Sequence, residues 1–116
     1  MSTLRNSVRL IGRLGKDPEV KEFESGKKVA NFSLATSVVY YDEHGQRVEQ
    51  TQWHQVVAWG KLAEIAEKFV KKGQEVCVGG KLVYRDYETK EGVKKYIAEV
   101  VVSEMLLLGT KSELDS

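Results

Sequence analysis

Between Gln50 and Gly73 the chain reads QTQWHQVVAWGKLAEIAEKFVKKG, and the pattern changes at Gly60. Gln50–Trp59 has the composition of a strand. Trp53 and Trp59, six residues apart, fall on the same side of an extended backbone. After Gly60 the period lengthens: Leu62, Ile65, Ala66, Phe69 and Val70 recur as one apolar stripe, which predicts a helix over Lys61–Lys72. Lys68, Lys71 and Lys72 suit the negative end of its dipole, and Gly73 supplies the stop.

Outward from this junction every other segment reads as strand. Upstream, Lys28–Tyr41 places Ala30, Phe32, Leu34, Thr36 and Val38 on one face and Asn31, Ser33, Ala35 and Ser37 on the other. Asp42–Arg47 is a polar hairpin tip. A first strand runs through Val8, Leu10 and Leu14, where Gly12 and Gly15 suggest a bulge or corner. Asp17-Pro18 interrupts it, because Pro18 has no N–H to donate, and Val20–Phe23 forms a short strand closed by the turn Ser25-Gly26-Lys27. Downstream, Glu75–Arg85 and Lys95–Val102 are strands, with Met105–Leu108 a candidate extension and Asp86–Lys94 a polar loop between them.

The long elements therefore run β-β-β-α-β-β. That order suits an all-β, five-stranded barrel of the OB-fold, with one helix between strands three and four plugging an open end; the strand two–three surface of such a barrel receives oligonucleotides. Residues 1–109 are expected as one domain and 110–116 as a short frayed tail.

Composition narrows the function classes. Hydrophobic residues make up 41% of the 116 and charged residues 30%, a globular balance without a membrane-spanning run or a signal-peptide pattern. One cysteine, Cys77, excludes an internal disulfide and suits a reducing compartment, and its place in an apolar alternation suggests a small core residue. Two histidines and one cysteine supply a zinc site poorly, so no metal and no cofactor is expected. No nucleophile–base order, paired-carboxylate cleft or phosphate loop can be assembled, which argues against a small hydrolase or nuclease. With 18 basic and 17 acidic residues, any attraction for a polyanion must come from local placement of charge.

The aromatic residues carry the most information. Tyr40 and Tyr41 end one strand, Trp53 and Trp59 lie on the next, and Tyr84 and Tyr87 stand at the last hairpin. Arg47, Lys61 and Arg85 interleave with them. A nucleotide has a flat base and a charged backbone, so bare rings beside cations suit single strands. Taken singly, a Trp in a small barrel belongs to the core more often than to a platform. Phe32 and Phe69 fit the core, whereas Tyr40 and Tyr87 adjoin polar loops.

Four ordered stretches, Asn6–Glu19, Val29–Thr36, Trp53–Glu64 and Lys72-Gly73 with the following Val76, Val78, Gly80 and Leu82, resemble the bacterial single-stranded DNA-binding proteins over about residues 4–109. The resemblance implies an OB-fold that assembles as a homotetramer in the cytoplasm and nucleoid. It implies binding to single-stranded DNA with little sequence preference during replication, recombination and repair. It places base stacking at Tyr40, Trp53, Trp59 and Tyr87, backbone contacts at Lys61, Lys72 and Arg85, and a subunit contact at His54. Gln55 and Asp86 stand where relatives often carry basic residues. The family's acidic tip, which recruits replication and repair enzymes, is absent from the sequence to Ser116, so that recruitment is not carried over. An OB-fold protein that chiefly binds partner proteins is the nearest alternative.

Overall fold

A computed structural model describes residues 4–108. The strands are β1 (Val8–Leu14), β2 (Glu19–Glu22), β3 (Lys28–Tyr41), β4 (Arg47–Trp59), β5 (Glu75–Glu88) and β6 (Lys94–Leu107), with one helix, α1 (Lys61–Phe69), between β4 and β5. The helix thus follows the fourth strand rather than the third. The short segment after Pro18 pairs with Lys28–Asn31 along its whole length, and so counts as a strand of its own.

Five strands form the ring β1-β5-β6-β4-β3, and β3 returns to β1 at Arg13–Ala35 and Leu14–Leu34 to close it. β2 lies outside the ring, on the edge of β3 that β1 also uses, at Lys28–Asn31. The closure demands close approach. A side chain at Gly12 would collide with the carbonyl of Ala35, which accounts for that glycine without any bulge in β1. The register shift lies instead at Gly79–Gly80, opposite the stretch of β6 between Val102 and Glu104.

Alternation fills the barrel. Ala30, Phe32 and Leu34 of β3, Val56 and Ala58 of β4, Val76 and Val78 of β5 and Val102 of β6 point inward and are buried. α1 closes one end with Ala63 and Ala66. Burying side chains such as Leu34, Val56 and Val78 stabilises the fold by roughly 1.5–3 kcal/mol each.

α1 ends at Phe69, three residues earlier than the apolar stripe suggests. Val70 is extended (φ −101°, ψ 127°) and turns inward to be fully buried, while Phe69 is 59% exposed rather than part of the core. Cys77 is likewise half-buried, on the outward side of β5 between Ile11 and Leu106. Lys28 of β3 donates to Glu67 of α1 at 2.9 Å, and this hydrogen bond, with the carboxylate's charge, raises the Lys28 pKa above its ordinary value.

β3–β4 and β5–β6 both run past the barrel as two-stranded ribbons. β4 and β6 are parallel and pair only at Gln55–Glu99, Val56–Val100 and Val57–Val101. Both ribbons therefore leave from the same end. The polar loop expected at Asp86–Lys94 shrinks to Thr89–Val93, because Asp86–Tyr96, Tyr87–Lys95 and Glu88–Lys94 are cross-strand pairs. Arg47, Val48 and Glu49 extend β4 by the same logic, pairing with Tyr41, Tyr40 and Val39. The tail expected at 110–116 lies outside the described residues.

Candidate nucleic-acid interface

Register assigns each functional side chain to a face. On β4, His54, Val56 and Ala58 face inward opposite Leu34, Phe32 and Ala30, so Trp53, Gln55 and Trp59 face outward. The parallel pair Gln55–Glu99 carries this outward wall onto β6, and the pairs Arg85–Ile97 and Tyr87–Lys95 continue it along the second ribbon. Trp53, Trp59, Arg85 and Tyr87 thus share one side of the sheet. Tyr40 does not. It pairs with Val48 on the side that bears Leu34 and His54, beyond the end of the core.

The two tryptophans stand in the open, 59% and 44% exposed. Neither belongs to the core. Each is backed by a neighbouring strand or turn. The Trp53 indole lies over Gly15, where a Cβ would come within 2.7 Å of the ring, so that glycine makes room for it. The ring borders a groove of about 360 Å³ with Lys16, Asp17, Asn31, Ser33 and Gln55. Gln55 donates to the Ser33 hydroxyl at 3.2 Å along its floor. Trp59 faces Val29 and stacks on Phe23, with ring centroids 6.0 Å apart and planes 14° from parallel. Phe23 is a contributor that the sequence pattern did not single out, because it sits in a short, mostly charged segment with no periodicity to mark it.

The cations divide into committed and available groups. Arg85 is held by Glu99 through both of its carboxylate oxygens, at 3.3 and 3.0 Å, and Glu99 is itself largely covered. Its charge is therefore already neutralised at the wall. Lys95, directly across from Tyr87, is exposed and forms no described ion pair. It brings an available positive charge to this wall, and cross-strand register was the signal that could have found it. Lys61 is exposed at the start of α1, two residues after Trp59, where Gly60 (φ 62°) turns the chain from strand to helix. Lys72 is exposed and does not line the Trp53 groove, although its backbone N–H donates at 2.7 Å to Asp17, a groove residue.

His54 is half-buried, with Nε2 2.8 Å from the Thr36 hydroxyl. Among the described residues no group of three or more His, Cys, Asp or Glu side chains could hold a metal ion. No helix among them is long and apolar enough to cross a membrane.

Fold and wall together define a closed OB-type barrel with a bare aromatic face. The chain belongs to the single-strand binding protein family, whose model matches residues 5–108. It is 49% identical over 107 residues to single-stranded DNA-binding protein 1 of Chlorobaculum tepidum, covering 91% of this chain and 66% of that protein. It is 46% identical over 108 residues to the single-stranded DNA-binding protein of Neisseria meningitidis, covering 93% of this chain and 62% of that one. The chain thus spans a little under two-thirds of the length of these relatives. Among solved structures it superposes on a Plasmodium falciparum SSB complex with ssDNA, with a TM-score of 0.85 and 31% identity over 94% of this chain and 99% of that one.

Proposed function

We propose that this chain binds and protects single-stranded DNA with little sequence preference, and that it does so as a non-catalytic module. Trp53 and Trp59 stack on bases, Tyr87 extends the path along the β5–β6 ribbon, Tyr40 takes a base where the strand passes around to the other side of the β3–β4 ribbon, and Lys61, Lys72 and Lys95 contact phosphates, with Arg85 a weaker partner. The observation that carries this reading is the pair of exposed indoles on one outward face, each backed by a separate element. Stacking contributes about 1–3 kcal/mol per base, a figure taken from proteins of this same class, and every base offers a π-face to it. Family membership and the names of the relatives support the same ligand.

The accompanying reading is a homotetramer in the cytoplasm and nucleoid, serving replication, recombination and repair, with His54 near a subunit contact. Sedimentation equilibrium should report four times 13.1 kDa, and a monomer would remove that part. For the ligand, titration with an oligo-dT strand should quench the fluorescence of Trp53 and Trp59 strongly and in a salt-sensitive way, with no nucleotide released. Duplex DNA bound as tightly as the single strand would overturn the proposal.

A further inference from the structure

Trp59 sits at a place where an indole has little to hold it. It is the last residue of β4, Gly60 follows without a side chain, and the residue opposite, Val29, is buried and offers no ring. An exposed side chain in such a position samples several rotamers, and binding a base must then freeze one of them, at an entropic cost. What restrains it is Phe23. The two rings are nearly parallel and offset, one of the preferred geometries for an aromatic pair. Phe23 in turn is anchored. Its N–H donates to the Lys27 carbonyl and its carbonyl accepts from Gly26 N–H, both at 2.8 Å, so it is pinned at the root of a closed turn. The Lys21 ammonium lies 5.1 Å from its ring centroid, a cation–π contact that also places positive charge beside the stack. Lys21, Val29 and Trp59 occupy successive strands in one row.

We propose that Phe23 is a positioning residue for Trp59: it holds the indole plane in the orientation a base stacks upon, so that the β2 turn is part of the DNA-binding apparatus without itself contacting a base. This rests on the stacking role given to Trp59 above.

The test uses the full chain carrying Trp53→Phe, which leaves Trp59 as its sole tryptophan. Phe23→Ala should weaken binding to an oligo-dT strand about three- to tenfold, the range an aromatic pair contributes. It should also speed the local depolarisation of Trp59 fluorescence in the absence of DNA. Phe23→Tyr should restore both. Phe23→Leu, which keeps apolar bulk and guards against an unfolded Ala variant, should restore neither. Added to Trp59→Ala, the Phe23→Ala change should cost nothing more. Unchanged depolarisation and affinity in Phe23→Ala would overturn the inference, as would a further loss on the Trp59→Ala background, because Phe23 would then touch DNA directly. If Trp59→Ala itself leaves binding intact, the stacking reading fails instead.

Discussion

The two hairpins β3–β4 and β5–β6 are built alike and equipped differently. On β3–β4, Trp53 rests on Gly15 and Trp59 on Phe23, so each ring has support from outside its own hairpin. On β5–β6 the rings stand alone. Tyr87 shares the outward face with Lys95, while Tyr84 and Tyr96, 70% and 72% exposed, occupy the other face beside Asp86 and Glu88. The cation Arg85 is occupied by Glu99. A rigid, preorganised platform loses less freedom on binding than a free ring does. The first hairpin should therefore supply most of the affinity and the second mostly reach.

The largest effect that could break this contrast is Trp53→Ala with Trp59→Ala. Binding to oligo-dT should fall by at least about 1–3 kcal/mol while circular dichroism still reports a folded barrel. Tyr84→Ala with Tyr87→Ala, the two β5 rings, should cost clearly less, and an equal cost would erase the distinction. Next comes Gly15→Ala, which pushes the Trp53 indole off its seat and should weaken binding several-fold with little change in Tm. Gly12→Ala, which meets backbone of β3 instead, should do the reverse and lower Tm. Smaller still is Glu99→Gln. Releasing Arg85 should tighten binding and steepen the dependence of log K on log salt by up to about 0.7, the value for one more phosphate neutralised on a single strand; a slope unchanged in a salt titration would show that Arg85 stays out of reach. The smallest concerns the helix rather than the ribbons. Because the folded pKa of Lys28 is raised, its bond to Glu67 contributes below the amine's ordinary value of 10.5 and fades as pH rises through the raised one. Glu67→Gln should lower Tm slightly at neutral pH, and that difference should shrink once the solution is alkaline enough to deprotonate the folded-state amine.

Much of this was legible because strands announce themselves by parity. Ala30, Phe32 and Leu34 alternate cleanly, and Trp53 and Trp59 share a side by simple counting. The same parity puts Tyr40 with the inward set, a consequence that the resemblance alone does not convey. The apolar stripe predicts too long a helix because Phe69 and Val70 continue it, whereas the burial of Val70 comes from extended backbone that turns it under the barrel. Pairings between distant positions were out of reach: Glu99 lies across a hairpin from Arg85, Gly15 and Trp53 meet only through barrel closure, and Phe23 reaches Trp59 over β3. Such contacts depend on which strands become neighbours, and no local pattern encodes that.

The ring is sewn unevenly. β3 and β4 are zipped along their whole length, as are β5 and β6, yet β1 meets β3 only at Arg13–Ala35 and Leu14–Leu34, and β4 meets β6 over the short run Gln55–Val57. The molecule is in effect two stiff shells joined along two brief seams, and each shell carries one ribbon. A nucleotide strand lying across both would act as a clasp. Amide hydrogens at Gly15, which donates to Ser33 across the first seam, and at Val100 should then exchange more slowly once DNA is bound, while those deep inside either shell keep their pace.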